Sequence, residues 1–140
     1  AGHIGEAGFG AGVFYLYLCI NRDLLIKNLG GDKTLADKAL AALVEAAAKV
    51  APTGKQNSFA SRARTSYMLV EKGNDQPRSL AVAFLKPVKG EDILDIAVKE
   101  LEKRRENFDK VYGPCADGFR TMNAETGDGK LTDIIKYVTE

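Results

Sequence analysis

Two long stretches of this chain place apolar residues three and four apart, and each is closed by a proline. That spacing puts one apolar stripe on a helix and restricts the fold to architectures that bury two such stripes. In the first, Thr34 and Asp37 resemble a capping box, so a helix is expected to start near Thr34. Its apolar face would be Ala36, Ala39, Leu40, Leu43, Ala47 and Val50, and Pro52 closes it. The second runs from about Glu91 to Val111 and ends at Gly113-Pro114. Ile93, Ile96, Ala97, Leu101, Arg104, Phe108 and Val111 trace its stripe. Lys99, Lys103 and Arg105 with Glu100, Glu102 and Glu106 form a mixed-sign, solvated side.

Around these helices lie segments of strand character. Val13 to Ile20 is aromatic and branched, with few polar positions, and reads as a strand buried on both faces. Asn21-Arg22-Asp23 ends it, and Leu24 to Leu29 reads as a short apolar turn or helix stopped at Gly30-Gly31. Thr65 to Glu71 alternates as a strand. After the turn cluster Lys72 to Arg78, Ser79 to Leu85 reads as a second strand, and the two are expected to pair as a hairpin. Gly118 to Asn123 reads as a short strand, and Leu131, Ile134, Ile135 and Val138 mark a last helix. The order β-α-β-β-α-β followed by a helix is that of α+β, ferredoxin-like folds, which RNA-recognition domains share.

At 140 residues a single domain with a real core is expected. A hydrophobic content of 45% and a charged content of 28% are ordinary for a globular chain. The longest apolar run has strand length, far short of the roughly 20 residues of a membrane span, so no membrane partner is expected. Cys19 and Cys115 read as buried, reduced thiols of a cytoplasmic protein. His3 is the only histidine and there is no CxxC, so neither a metal nor any other cofactor is implied.

The charge pattern is more specific. The formal net charge is only +1, yet no acidic residue occurs between Glu45 and Glu71, an interval that holds Lys49, Lys55, Arg62 and Arg64. At its centre is Pro52-Thr53-Gly54-Lys55-Gln56-Asn57-Ser58-Phe59-Ala60-Ser61. One sign of charge in a balanced chain makes a local positive field. Lys55, Gln56, Asn57 and Ser58 can donate to phosphate oxygens, and Phe59 offers a stacking face. Two readings follow: a solvated loop after a helix, or an anion or nucleic-acid site extended by Arg62 and Arg64.

Catalytic motifs find little support. Gly54-Lys55 fails as a phosphate loop, because Lys49 stands where a glycine is needed, Gln56 replaces the Ser/Thr, and a helix precedes it. Gly8, Gly10 and Gly12 fail as a dinucleotide turn, since they lead into a strand-like run. His3 and Glu6 form an acid–base pair only on paper, in a glycine-rich segment with no evident support. Asp23, Asp75, Asp117 and Asp128 sit beside turns, where turn formation is their ordinary role. Glu125 to Lys130 lacks the ligand spacing of a calcium loop.

Several segments together resemble one family. Residues 1–17 are similar to the segment H-x-G-E/T-x-x-F-x-x-G-V-F-Y-x-Y of the CasC family, the backbone subunits of the type I-E CRISPR Cascade complex. Asn28-Leu29-Gly30-Gly31, the loop Gly54-Lys55-Gln56-Asn57-Ser58-Phe59-Ala60, and Leu80, Ala81, Ala83 and Phe84 resemble its next stretches in matching order. From Lys89 onward the match is one of pattern. The resemblance implies that the chain corresponds to a C-terminal portion of such a subunit. Residues 1–12 would be a glycine-rich thumb arm, with His3 and Phe9 near RNA. Residues 13–140 would be the C-terminal part of an RRM-like palm, with an incomplete sheet and a visible unpaired edge or apolar face. It implies a non-catalytic role, in which copies of the chain polymerise along CRISPR RNA and present it for pairing with target DNA, alongside other Cascade subunits. The RNA-binding set would be Lys55, Gln56, Asn57, Ser58, Phe59, Arg62 and Arg64. Two alternatives stand beside it: a generic RRM-like single-stranded RNA binder, and a metal-dependent ribonuclease using an aspartate such as Asp23 or Asp75.

Overall fold

The computed structural model describes residues 2, 5–6 and 8–140. His3 lies outside the described residues. The fold is α+β: α1 (Arg22–Asn28), α2 (Lys33–Lys49), α3 (Gln56–Phe59), β1 (Tyr67–Lys72), a 3-10 turn (Ala81–Phe84), α4 (Ile93–Tyr112), β2 (Gly118–Asn123) and α5 (Leu131–Thr139).

The helices begin where side chains can satisfy free N–H groups. Asn21 accepts from Leu24 N–H at α1, Asp32 from Leu35 N–H at α2, and Asp92 from Asp95 N–H at α4. The cap of α2 is therefore Asp32, two residues before the expected start. The buried stripe of α2 is Ala36, Leu40, Val44 and Ala48, a strict spacing of four. Leu43 and Val50, expected inside, remain 41% and 71% exposed. The difference follows from where α2 packs: it lies chiefly against α5, whose Ile134 is fully buried, with α1 as a lesser neighbour, so only a narrow seam closes.

β1 and β2 form one antiparallel sheet, pairing Tyr67 with Asn123 and Lys72 with Gly118. Each face is covered by a different helix. On one, Tyr67 donates to Glu102 of α4, and the Arg105 guanidinium lies 4.1 Å from the Phe119 ring centre. On the other, Lys72 Nζ donates to Tyr137 O at 3.0 Å, and Lys72 and Arg120 both sit 4.7 Å from the Tyr137 ring centre. The loop after β2 turns tightly on Gly129, whose φ is +70° and where a Cβ would meet Thr121 O at 2.2 Å.

Two expected strands do not form among the described residues. Ser79 to Leu85 does not pair with β1; it winds into the 3-10 turn, and β1 takes β2 as its partner. Ala81 and Ala83 offer a strand nothing to bury, whereas the turn sinks Leu80 to 5% exposure and brings Phe84 against Tyr15, with ring centres 5.5 Å apart. Val13 to Ile20 carries no ladder. Phe14 is 87% and Leu16 67% exposed, and Cys19 is exposed where a buried thiol was expected. An apolar run encodes burial but not the neighbour whose backbone completes a strand, and here its anchors are side chains. Tyr15 Oη accepts from Leu80 N–H at 3.2 Å, and Val13 lines an apolar cavity of about 240 Å³ with Phe84, Val88, Ile93 and Ala97. Phe14, Leu16 and Leu18 thus remain exposed apolar side chains.

Candidate nucleic-acid interface

The acid-free interval begins inside α2 and returns to it. Val50 ends the helix by donating its N–H to Ala46 O at 2.8 Å, and Pro52 prevents continuation. The return leg docks at Thr65, which donates its N–H to Ala48 O at 3.0 Å and its hydroxyl to Ala47 O at 3.1 Å. Those carbonyls belong to the last turn of α2 and lack partners within the helix. The loop is therefore tied at both ends to one helix terminus.

Inside the loop, Gln56 acts as a staple. Its Nε2 donates to Pro52 O and to Ser61 O, both at 2.8 Å. Its Oε1 is shut away from solvent without a partner. Both amide hydrogens are thus committed to the fold, and Gln56 closes the loop. The single turn α3 is flanked by its caps Lys55 and Ala60, both left-handed, with φ of 55° and 46°. A left-handed conformation costs a non-glycine residue on the order of 1–2 kcal/mol, which the staple and the turn's hydrogen bonds offset.

This arrangement sorts the residues that sequence pointed to. Lys55, Asn57 and Ser58 are exposed together on the loop tip. Gln56 and Phe59 are half-buried. Phe59 meets Phe9 with ring centres 5.3 Å apart and planes tilted by 51°, so Phe9 and the loop are neighbours. Arg62 and Arg64 are exposed on the return leg and line a cleft of about 370 Å³ with Lys49, Val50, Ala51, Pro52, Thr53 and Ser61.

The electrostatics are one-sided. Among the described residues, Lys55, Arg62 and Arg64 enter none of the ion pairs. Lys49 differs, because it bonds Glu45 one turn earlier and holds that carboxyl below the usual carboxylate range. Sequence reasoning did not single out Lys49, Thr53 and Ser61 as site residues. Only the return of the chain to Ala47 and Ala48 makes the cleft, and no local motif signals that return. Asp23 lies in the first turn of α1 and Asp75 in the bend after β1, separate from this surface in the chain order. Among the described residues, no three of His, Cys, Asp and Glu gather as a metal site, and no helix is long and apolar enough to cross a membrane.

The α+β fold thus presents a cationic loop whose Lys55, Arg62 and Arg64 enter no ion pair among the described residues. The CT1975-like protein family matches residues 1–136, and the chain belongs to this family of CRISPR-associated (Cas) proteins. No curated protein matches the chain.

Proposed function

We propose that this protein is a CasC-like backbone subunit of a Cascade complex, which binds guide RNA without cutting it. The observation that carries the reading is the stapled loop, whose Lys55, Asn57 and Ser58 are exposed, as are Arg62 and Arg64 further along it, and whose three cations enter no ion pair among the described residues. Such a surface suits a sugar-phosphate chain, because point charges and neutral donors at fixed positions bind phosphate without reading bases. In this role copies of the chain line up along one CRISPR RNA in the cytoplasm, contact the other Cascade subunits, and leave the bases free to pair with target DNA. Membership of a CRISPR-associated family supports that setting. The exposed Phe14 and Leu16 supply apolar surface for subunit contacts.

Native mass spectrometry on guide RNAs of increasing length tests this directly. Backbone assembly predicts that the number of protein copies rises with guide length while the RNA stays intact. One copy at every length, or RNA shortened in the presence of magnesium and spared by Asp23→Ala or Asp75→Ala, would overturn it.

A further inference from the structure

The cleft beside the loop has a geometry that the loop tip lacks. Arg62 and Arg64 are two residues apart in a segment without helix or turn, and both line the same cleft, while Ala63 between them is not part of its wall. Alternate residues of an extended chain point the same way, which spaces their side-chain origins about 6–7 Å apart. That interval is close to the separation of neighbouring phosphates on an extended single strand. The Thr53 and Ser61 side chains share the cleft, and neither hydroxyl has a hydrogen-bond partner among the described residues. Lys49 is held by Glu45, so the net positive charge of the cleft comes from the two arginines.

We infer that this cleft seats two successive phosphates of one RNA strand, one on Arg62 and one on Arg64. The inference rests on the guide-RNA reading and adds a register to it. Guanidinium forks bind phosphate oxygens through paired N–H groups, so position matters as well as charge. Thr53 and Ser61 donate from the cleft wall to oxygens the arginines leave free. The anchoring of Thr65 on Ala47 and Ala48 fixes where the arginines sit relative to Lys55. A strand lying on the loop tip is thereby led into the cleft.

The test moves a charge without changing its amount. Affinity of the full chain for a uridine oligonucleotide is measured against salt for wild type, Arg62→Ala, Arg64→Ala, and Arg64→Ala combined with Ala63→Arg. A second relocation, Arg62→Ala with Ala63→Arg, guards against a fault in either variant. All the altered residues are exposed, so melting temperatures should match wild type. Each relocated variant should bind as weakly as its single alanine variant, and its log–log salt slope should be shallower than wild type by about 0.7, one phosphate on a single strand. Wild-type affinity in the relocated variants would overturn the two-phosphate register and leave the guide-RNA reading standing. No salt-dependent RNA binding by the wild-type chain would overturn that reading, and this inference with it.

Discussion

Two stretches of this protein are rich in lysine and arginine, and the fold treats them differently. On α4, Lys99 pairs with Asp95, Arg105 with Glu102 and Asp109, and Lys110 with Glu106, while Lys103 and Arg104 share the helix with Glu100 and Glu106 without pairing among the described residues. Arg78, from the loop after β1, adds pairs to Glu71 and Asp109. Along the loop after α2, Lys55, Arg62 and Arg64 have no acidic neighbour within reach among the described residues. The difference lies in sequence spacing. A carboxylate three or four residues away on a helix folds its partner's charge back onto the surface. An acid-free interval leaves the field pointing outward. Counting basic residues would rank the two stretches alike; asking where the acids sit separates them.

The two regions should also fail differently. The largest effect is expected at Arg105→Ala, on the neutralised side. Its side chain is only 11% exposed, bonds Glu102 at 2.9 Å and covers the Phe119 ring. Removing it takes one partner from Glu102, which keeps Tyr67, and one from Asp109, which keeps Arg78, and uncovers the Phe119 ring, and should cost roughly 2–3 kcal/mol of stability by denaturant unfolding. RNA affinity of the folded fraction should stay as in wild type. Next, Lys55→Gly should separate fold from binding. Glycine accepts a φ of 55° without strain, so stability should hold or rise by up to about 1 kcal/mol, while RNA affinity falls roughly three- to tenfold. A parallel loss of both would mean that Lys55 serves the loop and not the ligand. The smallest effect is expected from Lys99→Ala with Lys110→Ala. Both are exposed cations already paired along the helix, and RNA affinity should move less than about twofold. A larger drop would bring α4 into the interface and blur the distinction.

Much of the helical framework was legible from periodicity alone. The stripe containing Ala97 and Leu101 placed one long helix, and the apolar spacing after the capping box expected at Thr34 placed the other within a few residues of its actual cap, Asp32. The position of β2 was also readable, but its partner was not. Alternation in Ser79 to Leu85 looked like a strand because it records only which residues want burial, and Leu80 is buried as well at the cap of a 3-10 turn. Val13 to Ile20 shows the same limit from the other side, since apolar content cannot name the backbone that would complete a ladder. The loop stood out because the absence of acids is a local property. Gln56 was expected to face the ligand as a donor, and its amide hydrogens instead hold Pro52 and Ser61. Composition cannot tell a donor that closes a loop from one that faces a ligand. The cleft was invisible for a related reason, as it exists only because Thr65 returns to Ala47 and Ala48.

The central claim, that the stapled loop grips phosphate without reading bases, is tested most directly by the salt dependence of RNA affinity for wild type and Lys55→Ala on two unrelated oligonucleotide sequences. The account predicts a negative log–log slope for both sequences, shallower by about 0.7 in the variant, with the same loss of affinity on each. An unchanged slope, or a loss confined to one sequence, would contradict it.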